Sequence, residues 1–158
     1  LIVLGIDPGR LSGWCLSHPR LSGSVDHQHT AMSLWWAARA PRGMAGAWTK
    51  TLPKEERLKR VLGAYSDWLE QLIWYHAPAV VVIERMKPFR GRASTNTLEF
   101  RGASMAVAGR LDVALVECAP EKWQQLLAGR AYDPAKDHHV AAELMVEWFV
   151  AQQQGLAA

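Results

Sequence analysis

Two acids stand where a carboxylate can do chemistry, each at the end of an apolar run. Leu1-Ile2-Val3-Leu4-Gly5-Ile6 ends in Asp7, and Ala79-Val80-Val81-Val82-Ile83 ends in Glu84. A carboxylate held at the end of a core strand is costly to desolvate unless a cation or hydrogen-bond donors offset it. Pro8-Gly9 turns the chain behind Asp7 and leaves its oxygens facing outward, where an ion or a phosphate can reach. Either acid alone reads as a solvated strand end. The pair, with the turn chemistry after Asp7, reads as the start of a divalent-metal site. No Ser-His-Asp or Cys-His set stands out as a nucleophile.

Other ligand types are weaker. His27 and His29 alternate in a possible strand and would share a side, but with no third ligand in view they read as solvent-exposed. His138-His139 beside Asp137 offers a substitute catalytic group, yet adjacent helical residues point in different directions. Asp137 is therefore kept as an outer metal ligand only.

The elements that must position these acids follow from periodicity. The Leu1–Ile6 run reads as a buried strand, and Ser12-Gly13-Trp14-Cys15-Leu16-Ser17 as a second strand hairpinned onto it. Residues 21–44 fit no clear period and read as the end of a second strand plus an irregular insertion, with Trp35-Trp36 as a dimer or DNA surface. Ala45–Thr51 offers a third strand. Pro53, then Glu55 and Glu56, open a helix over 54–75 whose apolar stripe runs from Leu58 to Ile73. His76-Ala77-Pro78 stops it, and the strand ending in Glu84 follows at once. A helix from about Asn96 to Arg110, a short strand over Asp112–Cys118, a helix from Pro120 through Leu127 and a last helix after Pro134 complete the chain. Trp68, Trp74, Trp123 and Trp148 fall on helices and are expected in the core. Strands first, then helix–strand–helix alternation, predict a mixed α/β sheet with helices on its faces.

Composition limits the class. At 158 residues the chain reads as a single domain able to bury a real core, and 49% apolar residues argue against disorder. No apolar run approaches the ~20 residues of a membrane span, so no membrane partner is expected. Two cysteines, Cys15 and Cys118, point to a reducing, cytoplasmic setting. A net charge of +3 with a pI near 9.1 permits a nucleic-acid partner without requiring one.

Leu4-Gly5-Ile6-Asp7-Pro8-Gly9 followed by Ser12-Gly13-Trp14 resembles the opening of the RuvC-type Holliday-junction resolvases. Pro78 through Glu84 resembles that family's strand with the catalytic glutamate. Arg101-Gly102-Ala103 resembles the entry of its next helix, Pro120-Glu121-Lys122-Trp123 a P-x-x-W/K turn, and Ala135-Lys136-Asp137 the basic start of the following helix. The resemblance spans nearly the whole chain, with residues 21–44 its main interruption.

The resemblance implies an RNase H-like α/β fold, with antiparallel first strands, then parallel ones, flanked by helices. It also implies four acids and two Mg²⁺ ions, with Mn²⁺ as a substitute, cutting branched DNA at a four-way junction. Asp7 and Glu84 carry over as catalytic residues and metal ligands. The family's remaining acids lie in a D-x-x-D-A or H-x-x-D-A segment, expected after the helix at about 136–152. Nothing there matches, so the chain is expected to be trimmed and to cut poorly unless extended. Two symmetric nicks imply a homodimer, and no small-molecule cofactor is expected.

Contact with DNA is expected from the loop after Glu84, whose Arg85, Lys87, Arg90 and Arg92 sit where phosphates must pass. Phe89 among them can stack on an unpaired base. Lys122 and Lys136, matched to basic positions of the family, reach phosphate or remain exposed lysines. Three rival readings are a ribosomal-RNA-trimming nuclease of the same fold, a non-catalytic junction-binding module, and an actin-like or sugar-kinase-like nucleotide binder. The last needs a second phosphate hairpin and a longer chain.

Overall fold

The computed structural model describes residues 1–37, 48, 51–85, 94–134 and 136–155, with the backbone alone for 35–37 and 94–97. Five strands form one sheet: β1 (Val3–Asp7), β2 (Leu11–Leu16), β3 (Leu21–Asp26), β4 (Val80–Glu84) and β5 (Ala114–Cys118), in the order β3-β2-β1-β4-β5. β1 pairs antiparallel with β2, and β2 with β3. β4 joins β1 in parallel, and β5 joins β4 in parallel. The antiparallel half follows from the short connections after Asp7 and Leu16. The parallel half requires crossovers, which the helices supply.

The helices whose bounds are described are α1 (His27–Ala37), α2 (Lys54–His76), α3 (Ser94–Arg110), α4 (Pro120–Gln124) and α5 (His138–Gln153), with a 3₁₀ turn at Gln125–Leu127 after α4. None of the described helices is long and apolar enough to cross a membrane. α2 is the expected helix, extended by one residue at its end, where Ala77 adopts a left-handed conformation (φ 43°) and its N–H bonds the Ile73 carbonyl.

Alternation along the strands sorts residues to two faces. Leu4, Ile6, Val81 and Ile83 pack with Tyr65, Leu69 and Phe100 against α2 and α3. Val3, Val80, Val82 and Cys118 pack with Ala142, Met145 and Phe149 against α5. Truncating a fully buried member such as Leu69 costs about 2–5 kcal/mol in transfer and cavity energy.

α5 lies unusually close to the sheet. A Cβ at Gly5 would fall on the Ala142 carbonyl and the Val146 methyl, and one at Gly13 on the His138 carbonyl. Both glycines are needed because the helix backbone occupies the space of their side chains.

Several expectations are corrected. Through Ala37, the stretch read as irregular is regular: Leu21–Asp26 alternates too weakly to show a period because β3 is an edge strand, largely exposed on both faces. His27 and His29 open a helix, not a strand. Asp26 caps that helix, its Oδ1 accepting from the N–H groups of Gln28 and His29. His27 is fully buried between Tyr65 and Trp68, with ring centroids 5.1 and 4.9 Å away. In the stretch expected as a third strand, Trp48 and Thr51 are helical, and residues 45–47, 49 and 50 lie outside the described residues. Trp123 is buried as expected, but Trp74 is 80% exposed, beyond the apolar stripe of α2. The Trp35 and Trp36 side chains are outside the described set.

Candidate active site

Because Val3 and Gly5 face α5, the strand's period also turns Asp7 toward α5. The same parity places Glu84 on that face through Val80 and Val82. The parallel register pairs Ile6 with Ile83, so the two acids end neighbouring strands side by side. This is the carboxyl end of the parallel strands, where α/β sheets characteristically open a crevice. The turn after Asp7 is held by Ser12, whose hydroxyl accepts from the Gly9 N–H at 3.2 Å and donates to the Gly9 carbonyl at 2.9 Å. Ser12 is fully buried, and this pairing satisfies it.

Burial and a like charge act together on Glu84. Desolvation, then the negative charge of Asp7, then that of Glu121, push its carboxyl up from 4.5 to about 7. Tyr132 senses the same region: burial first, then Asp7, Glu84, Asp137 and Asp133, push its phenol up to about 12. These side chains therefore share one concentrated negative field.

A third side chain joins Asp7. His138, at the first turn of α5, places Nδ1 2.7 Å from Asp7 Oδ2. An ionised carboxylate only accepts hydrogen bonds, so Nδ1 carries the proton. Gly13 makes this reach possible by letting the first turn of α5 settle on β2. At the outer edge, Ser22 donates to Glu143 at 2.5 Å, and Arg20 and Arg130 pair with Glu147 at 2.7 and 3.3 Å.

At the α5 entrance the contacts differ from those expected from the sequence. Asp137, expected as an outer ligand, has Oδ2 accepting the Asp133 N–H at 2.8 Å and shapes the turn before the helix. His138, set aside as a weak candidate, is the residue that touches Asp7. The sequence signal was weak: His138 with Ala141-Ala142 matches only the histidine and the final alanine of H-x-x-D-A, and it lies at the start of this helix and not after it, where the segment was expected.

The other expected residues are more dispersed. Arg85 is exposed and donates its backbone N–H to the Cys118 carbonyl at 2.7 Å. Lys122 is exposed, and Lys136 is exposed beside Asp133 at 3.4 Å. Lys87, Phe89, Arg90 and Arg92 lie outside the described residues. Among the described residues, no group of three His, Cys, Asp or Glu side chains forms a ready-made metal cage. The two adjacent carboxylates instead suit a hydrated ion, since Mg²⁺ retains several of its waters.

The fold has counterparts among solved structures. RuvC from Thermus thermophilus in complex with a Holliday junction substrate superposes with a TM-score of 0.68 at 16% identity, over 99% of this chain and 98% of that one. Another Thermus thermophilus RuvC structure gives 0.64 at 16% identity over the same shares. The yeast mitochondrial Holliday junction resolvase gives 0.55 at 12% identity, over 98% of this chain and 81% of that one. The chain has the RuvC fold. No protein-family profile and no curated protein matches the sequence, so the relation lies in the fold and not in overall sequence. The expected mixed sheet, antiparallel on one side of β1 and parallel on the other, is the one observed.

Proposed function

We propose that this chain is a divalent-metal-dependent nuclease that hydrolyses phosphodiester bonds in branched DNA, and that it acts as a homodimer. The observation carrying this reading is the Asp7–Glu84 pair with His138 on Asp7, at the carboxyl ends of the central parallel strands, in a fold shared with RuvC. The pair fits a divalent cation because repulsion between two close carboxylates, expressed in the raised Glu84 pKa, is relieved by positive charge. Asp7 and Glu84 would hold Mg²⁺ or Mn²⁺ with water completing the shell. A second ion would draw its remaining ligands from the DNA phosphate.

Bound there, the cation supplies Lewis-acid polarisation of the phosphodiester and a more acidic water. The protein's part is positional. His138 fixes one oxygen of Asp7 by its Nδ1–H, and the other would be available as a ligand. Glu84, on the adjacent strand, orients the attacking water and takes its proton. One P–O bond breaks as the water oxygen joins phosphorus, and the departing oxygen gains a proton from solvent. Cations beside the acids, Arg85 first among them, would steer the strand in.

One observation favours a second reading. Ala141 stands where the H-x-x-D-A pattern carries an acid, which would suit a junction-binding module that does not cut. The deciding experiment incubates the protein with Mg²⁺ or Mn²⁺ and a four-way junction, a linear duplex of the same sequence or a structured RNA. Paired nicks in the junction alone support the nuclease. Tight binding without cutting, at every metal concentration, supports the module. Preferential cutting of RNA would overturn both.

A further inference from the structure

On the opposite face of the sheet, at the same end, a cleft of about 400 Å³ opens between the turn after Asp7 and the first half of α2. Its polar wall is Arg10, Gln28, Lys54 and Arg57, and the buried rings of Trp48 and Phe100 close its apolar side. No acid lines it. Arg10 donates to Gln28 at 3.1 Å, and no ion pair among the described residues engages Arg10, Lys54 or Arg57. Arg57 adds a second signal, because its Nε is buried with no hydrogen-bond partner. A buried guanidinium N–H without an acceptor is costly, and an incoming anion removes that cost.

We propose that this cleft is a second phosphate-binding site, which grips the sugar-phosphate backbone of the DNA strand after it leaves the Asp7–Glu84 centre. The inference rests on the nuclease reading above. It follows from connectivity: Pro8, Gly9 and Arg10 line the cleft, and the same turn begins at Asp7. A strand crossing the end of the sheet at Asp7 therefore meets Arg10 next, then Arg57 and Lys54. Arginine's planar fork suits the phosphate oxygens, and Lys54 at the mouth supplies a point charge. The cleft meets the backbone and not base edges, so it positions the strand without reading sequence.

The test measures affinity for a fluorescent four-way junction by anisotropy in EDTA, where no cutting occurs, over a series of salt concentrations. Replacing Arg10, Lys54 and Arg57 together by Gln should weaken binding at least tenfold at 0.1 M salt. It should also flatten the salt slope by about 0.9 for each phosphate no longer neutralised, so by between two and three for the triple variant. Lys54→Gln alone changes an exposed residue, preserves the fold, and should flatten the slope by about 0.9. Lys59→Gln, on the same helix but outside the cleft, should change neither quantity. An unchanged slope in the triple variant overturns the proposal, as does an equal effect from Lys59→Gln. If inorganic phosphate shifts the Arg57 Nε–H resonance saturably while the junction slope stays unchanged, the cleft serves a free anion and the DNA assignment is overturned. Failure of the parent chain to bind any junction would instead sink the nuclease reading itself.

Discussion

Replacing Glu84 by Gln should stabilise the metal-free protein at pH 8, although it removes a proposed catalytic group. The folded state holds this carboxyl near 7 and the unfolded chain near 4.5. A group raised on folding contributes stability below its unfolded value and loses it as pH rises through the folded one. Metal-free stability should therefore fall between pH 4.5 and 7, by up to roughly 3 kcal/mol at about 1.4 kcal/mol per pKa unit. His27 works in the opposite direction. Its burial, slightly countered by Asp26, lowers it from 6.5 to about 4, so the unfolded state binds the proton first. Stability is lost as pH falls from 6.5 to 4, by a similar amount. The two slopes nearly cancel in the wild type between pH 4.5 and 6.5. Glu84→Gln should expose the His27 slope, and His27→Phe the Glu84 slope. Urea denaturation in EDTA at a series of pH values measures both. At pH 8, Glu84→Gln should gain about 1–3 kcal/mol, or several degrees in Tm. Mg²⁺ should raise wild-type stability at pH 8 more than that of the variant. A Glu84→Gln protein no more stable than wild type at pH 8 would refute the crowded-carboxylate argument.

Four further outcomes are expected. Gly13→Ala should cost at least about 1–3 kcal/mol, because its methyl meets the His138 carbonyl; thermal denaturation measures this, and the loss of activity should exceed the loss of folded protein. His138→Ala should slow cleavage by about 10²-fold or more while junction affinity in EDTA is retained, with partial recovery in His138→Asn, whose amide can still donate to Asp7. Ala77→Gly should stabilise the chain by up to about 1 kcal/mol in the same denaturation assay, since Ala77 holds a left-handed conformation. Cys15 and Cys118, whose buried thiols are pushed up to about 11 and 12, should resist alkylation at pH 8 in the native state and react on unfolding.

Much of this arrangement was legible from local pattern. Apolar runs that end in acids identify β1 and β4, and the stripe from Leu58 to Ile73 identifies α2, because burial imposes these periods directly. The pairing of Asp7 with Glu84 was also readable, since two parallel strands ending in acids meet at one end of a sheet. Other features were not readable because they depend on tertiary approach. β3 is an exposed edge strand and carries no hydrophobic alternation. His27 looks like a surface histidine until the aromatic rings of α2 close over it. His138 lies 131 residues from Asp7, and only the close seating of α5 on Gly5 and Gly13 brings them together. The cleft cations were obscured for the same reason: Arg10 and Arg57 belong to separate elements, with no spacing to connect them.

If Asp7 and Glu84 form one metal-dependent cutting centre, the single-turnover rate of junction cleavage reports on it most directly. Wild type, Asp7→Asn and Glu84→Gln should be compared on the same four-way junction, at saturating protein, with Mg²⁺ and then Mn²⁺. Cleavage by the wild type is expected only in the presence of the metal. Each variant should lose at least about 10³-fold in rate, several times the barrier change of one lost hydrogen bond, with junction binding in EDTA unchanged. Cleavage by Asp7→Asn at the wild-type rate, or metal-independent cleavage by any form, would contradict a shared metal centre at these two acids.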